Sequence, residues 1–152
     1  MSTSLGNQWM MEIYDCDPHQ LERTNTVEDV LVEAARLCKA TVISSEFHQF
    51  QPHGVSGVVI ISESHLAIHT WPERGYAAVD VFTCGVHLRA DVAADYIARQ
   101  FGAKHYQVFE LERGRFDENN QPQMSRPVIT ESVRPVRMVS PFPGPAAVKA
   151  LS

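Results

Sequence analysis

Between Thr41 and Cys84 the chain offers four strand-like segments with only short punctuation between them. They run Thr41 to Phe50, Val55 to Ser62, Leu66 to Trp71 and Tyr76 to Cys84. The breaks are Pro52-His53-Gly54, the polar Ser62-Glu63-Ser64 and Pro72-Glu73-Arg74-Gly75. Connections this short join antiparallel neighbours, because a parallel crossover needs a dozen residues or more. Val58-Val59-Ile60-Ile61 reads as a buried strand. In the next segment Leu66 and Ile68 share one face, and His65, Ala67, His69 and Trp71 share the other. In the last, Val79 and Val81 face one way, and Asp80, Phe82 and Cys84 the other. One continuous antiparallel sheet is the expectation.

The flanks add helices. Gln8 to Tyr14 reads as a first strand, and the polar stretch Asp15 to Asn25, with Pro18, as a connection. Thr26-x-x-Asp29 resembles a capping box. Behind it Val27, Val30, Leu31, Ala34 and Leu37 or Cys38 recur at helical spacing. Leu88 to Gly102 reads as a second helix with Val92, Tyr96 and Ile97 on its apolar face and Gly102 as its stop. His105 to Leu111 reads as the last strand. The order β-α-β-β-β-β-α-β predicts an α+β two-layer sandwich with helices on one sheet face. Residues 1–120 form one domain on this reading. Residues 121–152 hold six of the nine prolines and read as an extended tail.

A chain of 152 residues is long enough to bury a real core, about 70% of its unfolded surface. Its net charge of −5 argues against nucleic acid and anionic membrane as partners. Three cysteines with no C-x-x-C spacing argue against a disulfide framework and a thiolate zinc site. The start Met1-Ser2-Thr3-Ser4-Leu5-Gly6 has no secretory pattern, and no apolar run approaches the ~20 residues that span a bilayer. A cytoplasmic location is the expectation.

His65 and His69 could suggest a metal pair on a helix. On a strand they lie about 13 Å apart, so no metal site is expected. Ser64 has no G-x-S-x-G elbow around it, which argues against a hydrolase nucleophile. Taken singly, Ser64 reads as a turn hydroxyl, Cys84 as a small buried hydrophobe and His69 as a sheet histidine. Their conjunction on adjacent strands is what points to chemistry.

The stretches Phe47-His48-x-Phe50, Gly54-Val55-Ser56-Gly57-Val58-Val59, Ser62-Glu63-Ser64-His65-Leu66-x-Ile68-His69-Thr70-Trp71-Pro72-Glu73, Gly75-Tyr76-Ala77-Ala78, Phe82-Thr83-Cys84-Gly85 and Glu112-Arg113-Gly114-Arg115 carry a resemblance. The chain resembles the prokaryotic S-adenosylmethionine decarboxylase proenzymes, the small pyruvoyl-dependent type, from Ser4 to Glu118. The resemblance implies self-cleavage between Glu63 and Ser64, giving chains 1–63 and 64–152. Ser64 becomes a pyruvoyl group that forms a Schiff base with the substrate amine and serves as electron sink. The resemblance also assigns His69 as the processing base, Ser56 as an aid to processing and Cys84 as the proton donor that follows decarboxylation.

It further implies a homodimer with apposed sheets and active sites near the interface. The expected role is in polyamine biosynthesis, with S-adenosylmethionine as substrate. Leu5-Gly6-Asn7-Gln8-Trp9 and Glu46 depart from the family pattern, so Trp9, Glu46 and Phe47 are candidate substrate contacts. An arginine or ornithine decarboxylase, with Glu46 facing the substrate cation, is the alternative. A non-catalytic partner would have lost Ser64, His69 or Cys84, and all three are present.

Overall fold

The computed structural model describes residues 3–85, 87–124 and 129–135. Its strands are β1 (Thr3–Tyr14), β2 (Val42–Gln49), β3 (Val55–Ile61), β4 (Ser64–Trp71), β5 (Tyr76–Thr83), β6 (His105–Phe116) and β7 (Ile129–Pro135). Helices α1 (Pro18–Leu21) and α2 (Thr24–Leu37) follow β1, and α3 (Ala90–Gln100) precedes β6. All described strands form one sheet in the order β2-β3-β4-β5-β1-β6-β7. Every pairing is antiparallel. The α+β sandwich expected from the residue pattern is the one observed.

The period-2 pattern decides which face is covered. Met11 and Ile13, Val59 and Ile61, Leu66 and Ile68, and Val79 and Val81 are all buried. They meet Val27, Leu31 and Ala34 of α2 and Ala94 and Ile97 of α3 in a single core. The opposite face carries Met10, Val58, Ile60, His65, His69, Trp71, Tyr76 and Phe82, all half-buried or exposed. An aromatic row crosses its end: Trp71 to Tyr76 at 5.3 Å, Tyr76 to Tyr14 at 5.4 Å, Tyr14 to His105 at 5.2 Å between ring centroids. The Tyr76 hydroxyl donates to the Glu12 carboxylate, and burial followed by that carboxylate pushes the phenol's pKa up.

Three local expectations are corrected. The connection after β1 contains α1, opened by Asp17-Pro18: the Asp17 carboxylate accepts from the His19 N–H at 3.0 Å, and proline sits in the first turn. Helix α2 starts at Thr24, ahead of the Thr26 box. Its free N-terminal donor is met from elsewhere in the fold, since the Thr24 N–H donates to Gln49 Oε1 of β2 at 3.2 Å. The stretch expected to be a tail supplies β7, which pairs with β6 from Ile129↔Leu111 to Pro135↔His105. Within it Ile129, Thr130 and Val133 are β-branched, and Pro135 is tolerated because β7 is the outermost strand described. Residues 136–152 lie outside the described residues.

Candidate active site

Ser62 and Glu63 form the two-residue turn between β3 and β4, with Ile61 paired to Ser64. Tight two-residue hairpins usually place positive φ on glycine or asparagine in the loop. Neither is present here, and the unusual backbone falls on Ser64, whose φ is +151°. A non-glycine residue held there stores strain of order 1–3 kcal/mol. That strain sits directly after the Glu63–Ser64 peptide.

The next strand supplies a donor to the same peptide. Ser64 pairs with Thr83 at the end of β5, and the Cys84 N–H donates to the Glu63 carbonyl oxygen at 3.0 Å. The chain then bends tightly, with the Gly85 N–H donating to Thr83 Oγ1 at 2.9 Å. A Cβ at position 85 would stand 3.0 Å from Glu63 Cγ, so glycine is what lets this loop approach the turn. Thr41 N–H reaches Glu63 Oε2 at 3.4 Å, and the Ser62 hydroxyl holds the Glu63 carboxyl below the usual carboxylate range.

Ser64 Oγ lies 3.2 Å from Nδ1 of His65, whose ring sits 6.0 Å from that of Phe82. The Arg113 guanidinium stands over the other part of this patch, 5.8 Å from the Phe82 ring centre, and donates to Gln8 Oε1. Cys84 is the exposed cysteine of the three. Burial pushes the thiols of Cys16 and Cys38 up to about 12 and about 11, so both stay protonated and inert. A hydroxyl beside a strained peptide whose carbonyl already accepts an N–H is an arrangement for acyl transfer.

A second group lies further along the open face. Ser56 Oγ and His69 Nδ1 are 2.7 Å apart across the β3–β4 pair. His69 is five residues beyond Ser64 on one extended strand, about 16 Å away. One chain therefore carries both groups but does not bring them together.

Residues 7–114 match the profile described as S-adenosylmethionine decarboxylase. The chain belongs to the S-adenosylmethionine decarboxylase family. It is 47% identical over 118 residues to an S-adenosylmethionine decarboxylase proenzyme of Thermodesulfovibrio yellowstonii, spanning 78% of this chain and 87% of that one. The corresponding proenzyme of Acetivibrio thermocellus is 52% identical over 115 residues, covering 76% and 93%. The crystal structure of the adenosylmethionine decarboxylase from Aquifex aeolicus superposes with a TM-score of 0.70 at 38% identity, covering 82% of this chain and 99% of that one.

Within this S-adenosylmethionine decarboxylase fold, the candidate substrate contacts scatter. Glu46 is exposed and shares the open face with Val58 and Ala67. Trp9 and Phe47 pack against the helix-side core. They stand on β1 and β2, four strand spacings or about 19 Å apart. No group of three or more metal-holding side chains occurs among the described residues. None of their helices is long and apolar enough to cross a membrane. Residue patterns missed the contact of His65 with Ser64, because alternation puts strand neighbours on opposite faces. The glycine after Cys84 was the available signal for the close approach of that loop.

Proposed function

We propose that this chain is a self-processing S-adenosylmethionine decarboxylase that cleaves itself between Glu63 and Ser64. The observation that carries the proposal is the Glu63–Ser64 peptide, with Ser64 at φ +151° and the Glu63 carbonyl accepting the Cys84 N–H at 3.0 Å. Attack by Ser64 Oγ on that carbonyl carbon relieves the strain and moves charge onto an oxygen that already has its donor. The peptide becomes an ester. Loss of the Ser64 Cα proton then expels the Glu63 carboxylate, leaving a dehydroalanine; its imine tautomer takes up water and releases the Ser64 nitrogen as ammonia, which leaves pyruvoyl.

The residues present fit that group: the hydroxyl that yields it stands at the head of the 64–152 chain, with an exposed thiol one residue past its pairing partner Thr83. The pyruvoyl ketone supplies an electron sink for decarboxylation. Cys84 returns a proton to the substrate carbon once CO2 has left, a task open to an exposed thiol just past the end of β5. The Glu63 carboxylate, held low by Ser62, is a weak base at neutral pH and does not compete for that proton.

Ser56 and His69 act on the Ser64 of a second copy. About 16 Å of strand separates them from the Ser64 of their own chain, whereas apposed sheets lie about 10 Å apart. The face left open by the described residues, with Ile60 and Trp71 about two-fifths exposed, is the surface that would meet. The same geometry supports a homodimer. The relatives' names favour S-adenosylmethionine over arginine or ornithine as the substrate.

The test is intact mass under denaturing conditions after cyanoborohydride trapping, with S-adenosylmethionine, arginine and ornithine supplied separately. Fragments split at Glu63/Ser64, with an adduct on the 64–152 chain at the lowest concentration of S-adenosylmethionine, are expected. One uncleaved chain without adduct overturns the proposal.

A further inference from the structure

Processing demands two proton removals from Ser64, one from Oγ before the acyl shift and one from Cα after it. We infer that His65 performs the first, taking the hydroxyl proton as Ser64 Oγ attacks Glu63. The inference rests on the self-processing reading above and adds a catalytic residue to it. The positive φ of Ser64 undoes the usual strand alternation, so that its hydroxyl lies 3.2 Å from Nδ1 of the neighbouring imidazole. In the tautomer protonated at Nε2, Nδ1 accepts from the hydroxyl. The ring is half-buried and braced near Phe82, which limits its wandering.

Other bases fit less well. His69 of the same chain is about 16 Å along the strand, and its Nδ1 is engaged by Ser56 at 2.7 Å. The Glu63 carboxylate is held low by Ser62 and sits against the Thr41 N–H. That leaves His65 for the oxygen proton and His69, from the second copy, for the carbon proton.

The step balances within the chain. The Oγ–C bond forms as the proton passes from Oγ to Nδ1, and the negative charge on the former carbonyl oxygen faces the Cys84 N–H. Collapse breaks the C–N bond, and the imidazolium returns its proton to the departing Ser64 nitrogen. No oxidant, reductant or further reactant is required.

The test follows full-length chains made by cell-free synthesis, with translation stopped at a set time and cleavage read by intact mass. A neutral hydroxylamine quench cleaves an ester at position 63 but leaves the amide. His65→Ala and His65→Asn are compared with wild type, each checked for a cooperative thermal transition. The asparagine retains a polar group of similar reach but no base, so it keeps the test open even where alanine loosens the strand. Expected are cleavage at least tenfold slower in both, uncleaved chain with no hydroxylamine-sensitive ester, and several-fold recovery of folded His65→Ala on adding imidazole. Wild-type speed in either variant, accumulation of the ester, or no effect of imidazole on folded His65→Ala overturns the inference. A wild-type chain that never cleaves would instead defeat the self-processing reading itself.

Discussion

On the proposed reading Cys84 would serve the site through two different atoms, and they can be separated. Its N–H belongs to the backbone and holds the Glu63 carbonyl oxygen, whatever the side chain. Its thiol is exposed and available to a substrate carbon. In Cys84→Ala, the 1–63 and 64–152 chains should therefore still appear on a denaturing gel. Decarboxylation, measured as CO2 release, should fall about 10²-fold, the usual worth of a placed proton donor. Loss of cleavage in that variant would mean that the thiol itself takes part in processing. The family resemblance carried by Ser62 to Glu73 and Phe82 to Gly85 is what singled out Ser64, His69 and Cys84; taken singly, each reads as an ordinary turn or strand residue. The nearness of Ser64 to His65 was not legible: it depends on one backbone angle, and nothing in the letters Ser-Glu-Ser-His reports φ. Trp9 and Phe47, candidate substrate contacts by sequence, pack against the helix-side core, because a large aromatic next to a motif can equally serve packing.

At the level of elements, the β2–β3 pair shows how tightly the helix-side layer is fitted. Phe47 lies across Gly57, its pairing partner, and a Cβ there would fall 2.0 Å from the ring. Gly57→Ala must push Phe47 off the core. The expected loss is about 1–3 kcal/mol of stability, read as a lower urea midpoint with an unchanged slope. Gly57→Ala with Phe47→Leu should recover part of that loss, because the smaller side chain leaves room for the methyl. The four strands from Thr41 to Cys84 were readable because each alternates against one buried layer. The start of α2 was not, since its first donor is satisfied by Gln49, distant in sequence and brought close only by the fold. β7 escaped for a related reason: proline at its end suggests irregular chain, yet proline is tolerated on the outermost strand among the described residues.

For the whole molecule, the distance between the two reactive groups of one chain makes a prediction about pairs of chains. Ser64→Ala keeps Ser56 and His69, whereas His69→Ala keeps Ser64. Each should stay uncleaved when expressed alone. Co-expressed, they should yield cleaved His69→Ala chain, visible by intact mass, because the first variant lends its histidine to the second. No cleavage in the mixture would return His69 to its own chain's site. If the chain cuts between Glu63 and Ser64 as proposed, the order β2-β3-β4-β5-β1-β6-β7 decides what the cut leaves behind. Residues 1–63 supply β1, β2 and β3, and the remainder supplies the other four strands, yet β1 lies between β5 and β6. The two products are therefore interleaved like the fingers of clasped hands, held by a ladder on each side of β1 and by the shared core. The cut turns a one-chain folding problem into an encounter between two. A matured molecule that once comes apart must find its other half by collision, so its shape is inherited from the uncut chain.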